Sequence, residues 1–366
     1  MVVDPAFWRS KRVFLTGHTG FKGGWMSLWL ASMGAKLAGY SLQPSTQPNL
    51  FEAANIAPLL EENHIGDICD REKLTAAMVG FRPDVVIHMA AQALVRPSYT
   101  APVETYATNV MGTVHVLDAI RQCNTVRAAV MVTSDKCYQN NEWPWGYREN
   151  EPMGGYDPYS NSKGCAELVT SAYRQSFFPA ERYADHGVAI ASGRAGNVIG
   201  GGDWSADRLV PDAVAAFQKG TPLMIRSPGA IRPWQHALEP ISGYLVLAQA
   251  LADQGPAFCG GWNFGPNDTD ARSVREVVEL VIDKWGGPAS WQQDGAEQPH
   301  EANFLKLDCS KAKQHLGWTP SWDLSKAIEA TVAWHRARMS GEDMQQVCLA
   351  QIQSYSDAAQ KRAAKK

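Results

Sequence analysis

Thr133-Ser134-Asp135-Lys136 is followed, 24 residues after Asp135, by Tyr159-Ser160-Asn161-Ser162-Lys163. A Tyr-x-x-x-Lys on a helix puts both side chains on one face. There the ammonium is expected to stabilise the phenolate and bring the tyrosine toward neutral pH, making it a general base for a sugar hydroxyl. Two such residues four apart are common on helix surfaces, so the pair takes its meaning from the elements around it.

Those elements begin near the N-terminus. Arg12-Val13-Phe14-Leu15-Thr16 reads as a buried strand running into Gly17-His18-Thr19-Gly20-Phe21-Lys22-Gly23, and Trp25, Met26, Leu28, Trp29, Leu30 and Met33 continue at helical spacing until Gly34. Strand, glycine turn and helix in that order suit a pyrophosphate, because glycines admit the phosphates and the helix N-terminus offers unpaired N–H groups.

Further along, Lys36 to Leu42 reads as a second strand, and the segment before Gly66-Asp67-Ile68-Cys69-Asp70 as a third. Val85 to Ala91 reads as an apolar central strand, and Asn109 to Cys123 as a helix with Val110, Val114, Leu117 and Ile120 on one stripe. Ala128 to Thr133 is the next strand and carries Ser134, Asp135 and Lys136 to its C-terminal end, where open α/β sheets bind ligands. Gly187 to Ser192 supplies a sixth, with Gly193-Arg194-Ala195-Gly196-Asn197 leaving it as a loop. The alternation predicts an α/β fold, a Rossmann-type doubly wound parallel sheet over 1–200. Helices at 212–218, 239–252, 273–285, 310–316 and 324–337 predict a smaller mixed α/β substrate lobe over 201–345, with some chain crossing between the lobes and a C-terminal helix or tail at 346–366.

Composition excludes several classes. Net charge is −3 and charged residues make up 19%, which argues against nucleic acid or an anionic membrane as partner. No run of about 18 apolar residues occurs, so a cytoplasmic protein is expected. The seven cysteines (Cys69, Cys123, Cys137, Cys165, Cys259, Cys309 and Cys348) form no Cys-x-x-Cys pair and have no histidine at ligand spacing; reduced thiols and no metal are expected. The basic tail from Lys361 reads as a solvated, frayed end. Of the thirteen tryptophans, Trp143, Trp145, Trp204 and Trp234 stand in polar, Gly/Pro-rich stretches, where some could line a pocket.

With the glycine turn, Asp67-Ile68, Asn109, Ser134-Asp135-Lys136 and Tyr159-x-x-x-Lys163 in order, the chain resembles the extended short-chain dehydrogenase/reductase family over nearly its whole length, and within it the nucleotide-sugar 4,6-dehydratases. Most of that group carry Asp-Glu after the catalytic Ser or Thr, so Lys136 is a departure. Thr16 to Gly23, Thr133 to Tyr138, Gly193 to Trp204 and Arg232-Pro233-Trp234-Gln235-His236 look like the branch acting on CDP-glucose.

The resemblance implies a nucleoside diphosphate sugar, CDP-glucose, as substrate and an internal redox dehydration with no net use of cofactor. Tyr159, Ser134 and Lys163 would act at C4. Asp135 and Lys136 would carry the later proton transfers, with the choice of acid and base left open. Tyr40-Ser41-Leu42 stands where an acidic ribose ligand is usual, which leaves NAD or NADP open on physical grounds; the resemblance implies NAD. Gly17 to Gly23, Asp67, Ile68, Ala90, Ala91, Asn109, Tyr159 and Lys163 would hold it. Asn197, Arg208 and Arg232, with His236 and His300 behind them, would bind substrate. The resemblance also implies a homodimer or higher homo-oligomer. Two other readings use the same residues: an epimerase or reductase, which has no need of Asp135-Lys136, and a dinucleotide-sensing regulator, which has no need of Tyr159 and Lys163.

Overall fold

The computed structural model describes residues 1–295 and 304–365. Seven parallel strands form one sheet. In chain order the first six are β1 (Arg12–Thr16), β2 (Lys36–Ser41), β3 (Glu62–Ile65), β4 (Val85–His88), β5 (Ala128–Val132) and β6 (Ala189–Ala195). Across the sheet the order is Gly260–Phe264, β6, β5, β4, β1, β2, β3, so the direction of winding reverses between β1 and β4. That reversal opens the crevice in which such sheets bind ligands.

The central strands are apolar on both faces because both are covered; all five residues of β5 are buried. One face packs on the helices Phe21–Ser32 and Leu238–Gln254 through Trp25, Trp29, Leu245 and Val246. The other packs on Arg71–Phe81 and Gly112–Gln122 through Leu74, Met78, Val116, Leu117 and Ile120. A separate apolar cluster of Val210, Val214, Phe217, Val277, Val281 and Ile328 holds the C-terminal helices together. Residues 238–264 return from that region to supply a covering helix and the edge strand beside β6.

Several local expectations change. β4 ends at His88, because the N–H groups of Met89 and Ala90 turn to the Thr16 hydroxyl at 3.0 and 3.1 Å as the chain crosses the glycine turn. The helix expected from Asn109 begins as a π-turn, Ala107–Met111, and becomes regular at Gly112. Its buried stripe is Thr113, Val116, Leu117 and Ile120, with Val110 and Val114 half-buried. β6 runs on through Arg194 and Ala195, so the glycine-rich loop starts at Gly196; Gly193 lies in the strand, where a Cβ would come 2.7 Å from the Tyr244 ring.

Nor is the basic tail a frayed end. The helix Met344–Ala363 docks through Tyr355 on Trp29 and Glu239, and Arg362 is bonded to the Pro320 carbonyl and the Ser321 hydroxyl. No helix among the described residues is long and apolar enough to cross a membrane.

Candidate active site

The glycine turn leaves β1 and caps the helix Phe21–Ser32 with Gly20, whose place at the N-cap supplies no side-chain bond to the first N–H groups. Those donors stay open to an anion. Gly17 has φ +78°, and a Cβ there would lie 2.7 Å from Ala90 N; at Gly23 a Cβ would lie 2.0 Å from Gly17 O. The cradle therefore has room for phosphates only because these positions carry no side chain, and it fits a dinucleotide pyrophosphate. Beside it the Thr19 hydroxyl meets Ser41 Oγ at 2.9 Å and the Leu42 carbonyl at 2.8 Å, so neutral hydroxyls stand at the end of β2. Ala90, half-buried, lies against Gly17, while exposed Asp67 and buried Ile68 follow β3.

Two of the residues expected at the cofactor have their side chains engaged within the protein. His18 is 0% exposed; its ring covers Gly39, and Nε2 bonds Asn63 Oδ1 at 2.8 Å. Asn109, 1% exposed, accepts from Gln92 N at 2.9 Å and donates to Gln92 O at 3.0 Å and Ser162 Oγ at 2.8 Å. The π-turn aims it at the segment after β4 and at the helix Pro158–Ser176, so it shapes the wall of the crevice from behind.

Ser134, Asp135 and Lys136 follow β5. Asp135 and Lys136 lie in a 3₁₀ turn, Asp135–Cys137, and their divergence comes from that turn rather than from strand alternation. The Ser134 hydroxyl donates to Asp135 Oδ1 at 3.0 Å and accepts from Lys136 N at 3.2 Å. Asp135 is 2% exposed and its Oδ2 has no hydrogen-bond partner. Burial pushes its carboxyl up, against the opposing pull of Lys136, Ser134 and Arg232. Lys136 is half-buried and faces a recess shared with Tyr138, Tyr156, Asp157 and Arg232.

The helix Pro158–Ser176 starts with the Asp157 carboxylate on Ser160 N, which fixes its first turn directly before Tyr159. Burial pushes Tyr159 up to about 12, with Asp135 and Asp157 adding to the shift and Ser134 and Arg208 opposing it. Tyr159 and Lys163 leave one helix face; the ammonium lies among Glu167, Cys137, His88 and Lys22, and burial pushes it down to about 8.

Lys22 was legible only as part of the glycine turn. Its side chain reaches the catalytic cluster, 5.6 Å over the Tyr244 ring. Burial, then the charges of Lys163 and Arg208, push it down to about 7. Tyr244 joins the same cluster from the helix Leu238–Gln254, with its hydroxyl unpartnered. Spacing gave no signal for it, since it comes from a different part of the chain.

Asn197, Arg208 and Arg232 line one cleft of about 900 Å³ counted to its open mouth, together with Trp234 and Arg226. Arg208 pairs with Asp203 at 3.1 Å, Arg226 with Asp207 at 3.0 Å, and Arg232 borders both this cleft and the Lys136 recess. Outside it Trp143 stacks on Tyr147 and meets Trp145 at a tilt, and Trp204 packs edge-on against Trp334. His236 does not reach the cleft: it is 0% exposed between Trp25 and Trp322, and burial pushes it down to about 3. His300 lies outside the described residues.

A dinucleotide cradle at the reversal of a parallel sheet, with Ser134, Tyr159 and Lys163 at its mouth, defines a short-chain dehydrogenase/reductase type of enzyme. A family model described as GDP-mannose 4,6 dehydratase matches residues 14–331. The CDP-glucose 4,6-dehydratase of Salmonella typhimurium strain LT2 is 57% identical over 98% of this chain and 99% of its own. A dTDP-glucose 4,6-dehydratase of an Actinoplanes species is 27% identical over 90% and 99%. Among solved structures, a dTDP-glucose 4,6-dehydratase from Streptomyces venezuelae with NAD and TYD bound superposes with a TM-score of 0.75 at 22% identity, over 91% of this chain and 99% of that one. The UDP-glucose 4-epimerase of Thermotoga maritima also scores 0.75, at 19% identity over 90% and 99%. The chain belongs to the nucleotide-sugar 4,6-dehydratase family.

Proposed function

We propose that the protein converts CDP-glucose to CDP-4-dehydro-6-deoxy-D-glucose and water, as a carbon–oxygen lyase with NAD as resident cofactor. The observation that carries the reaction is the buried Asp135 carboxyl, with one oxygen unpartnered, beside Ser134 and Tyr159. An epimerase has no use for it. End-to-end identity of 57% to a CDP-glucose 4,6-dehydratase supports the choice of nucleotide.

The residues of the glycine turn, Thr19 and Ser41 would hold NAD, which supplies a hydride acceptor for C4 and a hydride donor for C6. Ser134 hydrogen-bonds the C4 oxygen while Tyr159, as phenolate, takes the C4 hydroxyl proton. The 4-ketone acidifies C5, and Lys136 as the base removes that proton and later returns it to C5. Asp135, whose carboxyl burial biases toward the acid form, gives its proton to the C6 hydroxyl, which leaves as water. Tyr159 is then a phenol and Asp135 a carboxylate, and one proton passed from the first to the second resets the site. Asn197, Arg208, Arg226 and Arg232 bind the nucleoside diphosphate, for which guanidinium forks are suited.

Incubation with NAD and, separately, CDP-glucose, dTDP-glucose, UDP-glucose and GDP-mannose tests this by product mass. Loss of one water from CDP-glucose alone is expected. Product from another nucleotide would overturn the specificity, and no dehydration from any would overturn the reaction.

Val103 and Tyr106 on the helix Pro102–Tyr106, Met111 in the π-turn after it and Leu168 on the catalytic helix itself are exposed, and a second copy of the chain is the occupant proposed for them, in a cytoplasmic homodimer. Sedimentation equilibrium should give twice the chain mass of 40.1 kDa; a single-chain mass at micromolar concentration would exclude the dimer.

A further inference from the structure

Glu167 lies four residues beyond Lys163 and eight beyond Tyr159 on the helix Pro158–Ser176, so the three leave one face. Its carboxylate is 5% exposed and saturated with donors. The Thr133 hydroxyl donates to Oε1 at 2.5 Å, and the Ser192 hydroxyl and Arg194 Nη2 donate to Oε2 at 2.6 and 2.7 Å. Thr133 directly precedes Ser134 and Asp135, and Arg194 in β6 continues to the Tyr138 hydroxyl at 2.8 Å and the Glu149 carbonyl at 3.0 Å. One buried carboxylate therefore ties the helix bearing Tyr159 and Lys163 to the ends of β5 and β6. A charge so deep is tolerated only when paired and hydrogen-bonded in this way.

We propose that Glu167 is a positioning residue of the catalytic centre: it holds the Tyr159–Lys163 helix in register with Ser134 and Asp135 and sets its carboxylate one helical turn from Lys163. The functional part rests on the proposed role of Tyr159 at C4 and on Lys163 acting beside it, as the family resemblance implies.

Four titratable groups face Lys163 from the elements packed around it: Glu167 on its own helix, Cys137 from the turn after β5, His88 at the end of β4, and Lys22 from the glycine turn. Burial holds His88 neutral at about 3 and pushes the Cys137 thiol up, so it stays protonated. For Glu167, burial works to raise the carboxyl, but Arg194 and the hydrogen bonds from Ser192 and Thr133 outweigh it and hold it ionised. Of the four, Glu167 alone is negative at neutral pH, and it is the foremost group opposing the effect of burial on Lys163.

The sign follows. Removing the carboxylate deprives the ammonium of its counter-charge, so Lys163 deprotonates at lower pH. A role confined to packing gives no reason for the Lys163 midpoint to follow the charge of Glu167.

The test is a pH titration of the full chain labelled with ¹³C at lysine Cε, read by NMR without cofactor, with the Lys163 signal assigned by its loss in Lys163→Met. Glu167→Gln should lower the Lys163 midpoint by about one pH unit, and the alkaline limb of kcat/KM for CDP-glucose should move in the same sense. That variant leaves the buried Arg194 guanidinium unpaired and can fail to fold. Glu167→Gln/Arg194→Met leaves no buried charge unpaired, and its midpoint should also lie below that of the wild type. An unchanged or raised midpoint in the folded variant would overturn the proposal. Because the titration needs no turnover, a wild-type chain that dehydrates nothing would defeat the functional reading while leaving the Glu167–Lys163 linkage separately judged.

Discussion

Replacing Tyr159 with Phe should lower kcat by about 10²- to 10⁴-fold, the range usual for loss of a positioned acid–base group, with the fold intact. Phe keeps the ring and its packing, and only the hydroxyl of this buried residue, which Ser134 influences, is lost. Stability should change by no more than about 1 kcal/mol, the net worth of one hydrogen bond.

Burial pushes Tyr159 up to about 12 without ligands, so the enzyme must lower it during catalysis. In this arrangement Arg208 and Ser134 pull it down, whereas Asp135 and Asp157 push it up. The acid form of Asp135 therefore serves two ends, since it provides a proton for C6 and withholds a negative charge from Tyr159. The rate of the wild type should rise with pH toward an alkaline limb, and the Phe variant should lose that rise along with its activity. Product mass against time, with circular dichroism to confirm folding, measures both. A variant retaining activity within tenfold of wild type would remove Tyr159 from the chemistry.

Asp135→Asn should separate the steps after C4. Asn matches the shape of Asp, and a carboxyl that burial already disfavours as an anion can be replaced by a neutral amide without leaving a charge unpaired, so the melting temperature should hold. Without an acid for the C6 hydroxyl, water loss should fall by at least about 10²-fold. Lys136 remains in place, so the C5 hydrogen should still exchange with deuterated solvent, seen as substrate one mass unit heavier with its oxygen retained. Lys136→Met should lose exchange and water elimination alike. If Asp135→Asn also abolished exchange while Lys136→Met preserved it, the acid and base assignments would have to be reversed.

The fold was largely legible because its signals are local. A continuous apolar run such as Ala128 to Val132 marks a strand covered on both faces. The turn from Gly17 to Gly23 marks itself, since only glycine allows the close approaches to Ala90 and Gly17 O. Tyr159 and Lys163 share a face by helical period alone. Helix bounds after residue 200 were close for the same reason, as where Ser273 and Glu276 cap the helix Val274–Trp285.

Contacts between distant segments follow no such period. Nothing along the chain announces that Gly260–Phe264 would close the sheet beside β6, or that the helix Leu238–Gln254 would place Tyr244 by the glycine turn. His236 read as a ligand by its company with Arg232 and Trp234, yet packing buried it between two indoles. Arg194 read as a loop residue and proved to be strand, neutralised by Glu167 from another element. The charge on Tyr159 and Lys163 belongs to the same category. Residue type and spacing established which groups could do chemistry and on which elements they sit. Burial and the neighbours brought in by folding set their protonation, because desolvation and Coulomb terms depend on distance in space, and sequence separation carries no record of that distance.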